Sequence, residues 1–314
     1  MKRSIVLAAV IITAILVGSA AVAYAKQPDP VSSENHAWSN YHWARTSNPF
    51  TLQLGDNLST TEWKNDLNTI SSNTQNAGWD YSTMLDTNIV PGGTSPKPCK
   101  ATSGRDEVCN ARYGNTGWLG VATIWISGSH ITQGTVKVND YYFGGSNYNY
   151  QYNNSAEKLH VMCQEVGHTF GLDHQSTDGS SLNTCMDYYH NTSASDTKST
   201  SPNAGDYDEL LCIYDKASAG KTLTSSPHTC TGTGHLDSTS TVGTSTASKG
   251  SSGAPNDPRN EPGDNPSQWG KEISRSANGK ESIYKLDLGG GEAKVTHVTW
   301  TDEQAKRRAQ RAQA

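Results

Sequence analysis

Apolar positions along the chain fall into a few clear periods. Ile5 to Val17 is an apolar run. Phe50, Leu52 and Leu54 alternate with polar residues, the pattern of a half-buried strand. Trp63, Leu67 and Ile70 recur at i, i+4 and i+7 behind the capping box Ser59-Thr60-Thr61-Glu62, which predicts a helix from about Thr60 to Asn73. Trp118 to Ser127 is nearly continuous apolar and β-branched, as in a buried strand. Gly134 to Phe143, where Val136 and Val138 alternate with polar neighbours, predicts another strand, and Gly128-Ser129 fits a turn between the two. Leu159, Met162, Val166 and Phe170 form the stripe of a helix from Ser155, a good cap, to about Phe170, where Gly171 supplies the stop. A third helix is expected from about Asp206 to Lys216, with Asp206 as cap and Leu210, Leu211 and Tyr214 inward. Residues 91–117 and 144–154 are rich in Gly, Asn, Pro, Ser or Tyr and read as loops.

The ends of the chain differ from this middle. Lys2 and Arg3, the apolar run and Ala23-Tyr24-Ala25 make residues 1–25 a secretory signal cut before Lys26, with an uncleaved membrane anchor as the rival reading. Residues 26–45 form a short polar N-terminal segment, and 46–230 hold the main domain. Residues 231–256 are nearly all Ser, Thr, Gly and other small residues, a flexible linker. In the tail, 257–314, the runs Ile283–Leu288 and Val295–Trp300 flank Gly289-Gly290-Gly291 and suggest a small β-hairpin before a basic Ala/Gln/Arg end. A net charge of −5 gives no basic field for nucleic acid. The six cysteines of an exported chain point to disulfides, and sequence proximity suggests Cys99–Cys109, Cys163–Cys185 and Cys212–Cys230. None stands in a CxxC pair, which argues against a four-thiolate zinc site.

The chemistry concentrates at Cys163-Gln164-Glu165-Val166-Gly167-His168-Thr169-Phe170-Gly171-Leu172-Asp173-His174. It follows the zinc-protease pattern HExxHxxGxxH except that Gln164 stands where the first His belongs. On a helix, Gln164 and His168 share one face a turn apart, and Glu165 reaches a water bound beside them. Gly171 lets His174 swing back to the same point. Three converging ligands with an open position suit a catalytic zinc, whose water Glu165 deprotonates as it attacks a carbonyl. The amide oxygen of Gln164 is a weaker ligand than imidazole. Three readings stay open: Gln164 binds the ion, it orients a water while a residue from elsewhere ligates, or the site is inactive. Cys163, five residues before His168, lies about 140° around the helix, off the ligand face. A Cys163–Cys185 bridge closing about twenty residues, worth on the order of 3 kcal/mol, is the preferred reading over a thiolate ligand.

With Cys185-Met186-Asp187-Tyr188 following it, the pattern resembles the metzincin metalloproteases, and the order of elements resembles their matrixin branch, over about Tyr41 to Tyr214. The resemblance implies an α+β fold: a twisted mixed sheet with three helices and a zinc helix followed by a Met-turn at Met186. It implies that Trp118–Ser127 forms the upper rim of the cleft and pairs with an extended peptide. It also gives Tyr188 a place near the zinc or the transition state. The family's cysteine-bearing pro-segment has no counterpart here.

The other histidines lack ligand spacing. His160 lies about 12 Å along the helix from His168. His130 sits in a turn, where it is read as exposed or, alternatively, as a ligand of a second ion. His36, His42, His190, His228, His235 and His297 show no ligand pattern. Asn139-Asp140 and Asp178 offer oxygens to a structural Ca2+ without an EF-hand pattern. Asn57-Leu58-Ser59 and Asn191-Thr192-Ser193 match the glycosylation pattern. The expectation is a secreted, monomeric zinc endopeptidase acting on protein or peptide, with no nucleic-acid partner and no membrane partner after signal cleavage. The alternative is a pseudoprotease kept as an extracellular peptide-binding module.

Overall fold

The computed structural model describes residues 36–144, 151–176, 178–215 and 258–311. The expected signal at 1–25, the linker at 231–256, His228, His235 and Cys230 lie outside the described residues.

The chain mixes helices with one large mixed sheet. Its strands are β1 (His42–Trp43), β2 (Phe50–Asn57), β3 (Leu85–Pro91), β4 (Asp106–Ala111), β5 (Trp118–Ser127), β6 (His130–Asn139), β7 (Lys271–Arg275), β8 (Glu281–Gly289) and β9 (Glu292–Trp300). The sheet order is β3-β2-β4-β6-β5-β9-β8-β7, with β1 pairing β6. From β3 to β6 the pairings are parallel; β5, β9, β8 and β7 then add antiparallel to one another. The helices are α1 (Thr61–Ile70), α2 (Asp140–Phe143), α3 (Ser155–Thr169), α4 (Ala204–Tyr214), α5 (Pro266–Trp269) and α6 (Asp302–Arg311).

Trp63, Leu67 and Ile70 are buried, as the period in α1 requires. β5 keeps the expected bounds and is buried on both faces from Trp118 to Ile126. β6 stops at Asn139, earlier than the alternation suggests, because the Asn139 side chain accepts from Tyr141 N and caps the single turn α2. The presumed loop 91–117 contains β4, tied by Cys99–Cys109. Cys163–Cys185 also forms.

The largest departure concerns the C-terminal region, read from sequence as a tail apart from the main domain. Its hairpin is part of the same sheet. β9 pairs antiparallel with β5 from Trp118↔Trp300 to Ser127↔Glu292, so β5 has a partner on each side. The edge assigned by resemblance to an extended peptide is therefore hydrogen-bonded to this chain's own last strand. Alternation along β9 sends Ala293 and Val295 into the main core. On the opposite face Val298 and Trp300 join Trp118, Val121, Trp269 and Tyr284 in a second core. Here Trp118 Nε1 donates to Asp264 O at 2.9 Å, and Trp125 Nε1 donates to Arg259 O at 2.9 Å. Among the described residues no helix is long and apolar enough to cross a membrane.

Candidate metal centre

α3 carries Glu165 and His168 beneath β5. Its cap is Asn154, one residue before the expected Ser155; the Asn154 side chain accepts from Glu157 N at 3.0 Å. Almost every α3 side chain is buried. At the C-terminal end Gly171 has φ +94°, and a Cβ there would lie 2.2 Å from the Tyr41 carbonyl oxygen. Only glycine lets the chain reverse at this point. The reversal returns His174 to His168, ring centroids 4.6 Å apart. Met186 packs against the helix at Gly167, where an added Cβ would come within 2.6 Å of its Sδ. The Cys163–Cys185 bond ties this turn to α3.

A third imidazole comes from β9. The His297 ring centroid is 3.7 Å from that of His168 and 4.7 Å from that of His174. Ligand nitrogens of the three lie within 4.8 Å of one another, the cluster of this kind found among the described residues. This corrects the sequence reading of His297 as a residue without ligand partners. Spacing could not reveal it, since sheet pairing alone brings His297 to α3. The available signal was parity: His297 shares its side of the strand with Val295, which is core.

Gln164 was expected as a ligand, and the structure gives it other partners. Its Nε2 donates to Asp187 O at 2.8 Å, and its Oε1 accepts from Thr299 Oγ1 at 2.9 Å. It clasps the turn at Asp187 to β9, while His297 completes the imidazole set.

The charge states suit a cation. His168 Nδ1 faces Leu172 O at 2.8 Å and His174 Nδ1 faces Asp173 Oδ1 at 3.1 Å. The Nε2 of each is buried with no hydrogen-bond partner, as are both His297 ring nitrogens. Burial, then the neighbouring imidazoles, holds His168 and His174 well below the usual histidine range. Burial pushes His297 down to about 3. All three rings are thus neutral, the state a metal ligand needs. Unpartnered buried polar atoms cost about 1–3 kcal/mol each, and their gathering at one point suits the binding of a cation.

Glu165 lies against β5 because residue 120 is glycine; a Cβ there would sit 2.5 Å from Glu165 Oε1. Oε1 accepts from Thr299 Oγ1 at 2.6 Å, and the Ala122 backbone N–H is close enough to favour the ionised carboxyl. Oε2 has no hydrogen-bond partner and is 3.7 Å from His297 Nδ1. Burial raises the Glu165 carboxyl to about 7 against the pull of His168 and those two donors. Thr299 has one proton for two acceptors, Gln164 and Glu165, so protonated Glu165 can donate to Thr299 while Thr299 donates to Gln164. Tyr188 is buried, its ring 4.3 Å from that of His174.

The other expected sites lie elsewhere. His160 Nδ1 is 2.9 Å from Asn191 Oδ1, and His130 stacks edge-on to His42 at 4.8 Å. Asp140 accepts from Trp63 Nε1 and Asn110 Nδ2 at 2.8 and 2.6 Å, and Asp178 Oδ1 accepts from Ser176 Oγ and Ser180 N. These oxygens already have protein donors, and no calcium cage forms around them. Cys212 has its expected partner, Cys230, outside the described residues. No protein-family model, curated protein or solved structure matches this chain, so the residues of the centre carry the functional reading.

Proposed function

We propose that this protein is a secreted, zinc-dependent hydrolase of peptide bonds, with a metzincin-like centre in which His297 stands in for the missing first histidine. One observation carries this reading. Three neutral buried imidazoles, each with an unpartnered nitrogen, converge beside an unpartnered oxygen of a buried glutamate. His168, His174 and His297 would hold the ion, which when bound supplies Lewis-acid polarisation of a carbonyl and a water acidic near neutral pH. Thr299 holds Glu165 through Oε1, and Oε2, which has no hydrogen-bond partner, would take a proton from a water at this point. Its carboxyl, raised to about 7, suits a base that later returns that proton to the leaving amine. Tyr188, whose ring packs against His174, would steady the developing oxyanion.

A second reading has its own support. β9 fills the β5 edge, so no extended peptide pairs there, and the centre is deeply buried. This favours a closed metal-stabilised module without cleavage. The test is zinc content and peptide cleavage on one preparation. The hydrolase reading expects about one zinc per chain and chelator-sensitive cleavage lost in Glu165→Ala. Zinc without cleavage leaves the closed module, and no zinc after loading removes both readings.

A further inference from the structure

β8 brings a buried carboxylate to the centre that no motif announces. Glu281, the first residue of β8, is opposite Thr299 of β9 in the sheet register. It is 2 % exposed, and its Oε2 has no hydrogen-bond partner. That oxygen lies 3.1 Å from His297 Nε2. The Glu281 backbone N–H donates to Ser276 Oγ at 3.0 Å, which fixes the strand start. Its neighbour Lys280 turns instead to Asp302 at 3.1 Å. Burying this carboxyl is costly, and the burial outweighs the pull of a Thr299 hydrogen bond and the Lys280 charge, while Oε2 itself keeps no hydrogen-bond partner.

The three imidazoles show a common need. A neutral imidazole that gives one nitrogen to a metal carries its proton on the other, and an acceptor there sets tautomer and ring angle. For His168 that acceptor is Leu172 O, and for His174 it is Asp173 Oδ1. For His297 the group in the corresponding place is Glu281. We propose that Glu281 is the positioning residue of His297: it accepts the Nε2 proton and turns Nδ1, the nitrogen nearer Glu165, to the metal. The hairpin then supplies a ligand through His297, the ligand's orienter through Glu281, and a donor to the base through Thr299. This inference rests on the zinc reading above.

The test uses the full secreted chain with zinc alone as ligand. Zinc affinity is measured by competition with a chromophoric chelator for the wild type, Glu281→Gln and Glu281→Met, and ¹⁵N-histidine spectra report which His297 nitrogen carries the proton. The expected result is a 10–100-fold weaker zinc affinity in Glu281→Met, with a smaller loss in Glu281→Gln. Zinc-loaded wild type should show His297 protonated at Nε2 and metal-bound at Nδ1. Thermal unfolding of the zinc-free forms separates a structural role, because Glu281→Met should unfold no lower than the wild type. Unchanged affinity in both variants, or zinc on His297 Nε2, overturns the proposal and leaves the zinc reading intact. A wild type that takes up no zinc overturns both.

Discussion

Exchanging the third ligand is the sharpest perturbation. The centre has two candidates for that role, Gln164 by motif position and His297 by geometry. Zinc at 100 times its dissociation constant stabilises the folded chain by about 2.7 kcal/mol. In a fold of this size each kcal/mol moves the midpoint by about 2–4 °C, so zinc should raise it by about 5–11 °C. His297→Ala removes one of three clustered nitrogens, and the rise should vanish at the same zinc concentration. Gln164→Ala removes hydrogen bonds to Asp187 O and Thr299 Oγ1; Asp187 O loses this donor, while Thr299 Oγ1 keeps Glu165 Oε1 as its acceptor. That costs about 1–3 kcal/mol in the zinc-free form, yet the zinc-induced rise should persist. The assay is differential scanning calorimetry with and without zinc at fixed protein concentration. Loss of the rise in Gln164→Ala with its retention in His297→Ala would refute the assignment of His297.

Other expectations follow from neighbouring features. The Cys163–Cys185 bridge spans a sequence separation of 22, which corresponds to about 3.4 kcal/mol of chain entropy. Denaturant titration of Cys163→Ser/Cys185→Ser should show a loss of that order. Burial raises the Asp106 carboxyl from 3.8 to about 8 although Thr169 donates to it. The folded state therefore binds more protons between those values, and stability should fall as pH rises through that window, by up to about 1.4 kcal/mol per unit. Asp106→Asn should flatten the slope; an unchanged slope in pH-resolved unfolding counts against this origin. Ending the chain at Asp215 removes His297 and uncovers Trp118 and Val121, so the shortened protein should bind no zinc and self-associate in sedimentation. A monomeric, zinc-binding product would contradict the role given to the hairpin.

What the sequence made legible was local. The α3 stripe, the Gly171 stop and the β5 run depend on neighbours within a turn or a strand. Helix starts slipped by a residue or more, because asparagine won the cap at both sites. Asn154 precedes Ser155, and Asn203 caps α4 while Asp206 sits three residues on and completes the capping box. β3 and β4 escaped because Leu85–Pro91 and Asp106–Ala111 are polar and held by parallel pairing to distant strands. The centre split the same way. Glu165, His168, Gly171, His174 and Met186 follow from one motif. His297, Thr299 and Glu281 arrive through the β5–β9 and β8–β9 pairings, which no spacing rule encodes.

If β9 supplies the third ligand, a zinc-edge anomalous map of a zinc-loaded crystal will show it. The expected map has one strong peak about 2.0–2.1 Å from His168 Nε2, His174 Nε2 and a ring nitrogen of His297, with the Gln164 amide still bonded to Asp187 and Thr299. A peak coordinated by Gln164 Oε1 with His297 turned away, or no peak at this point, would contradict it.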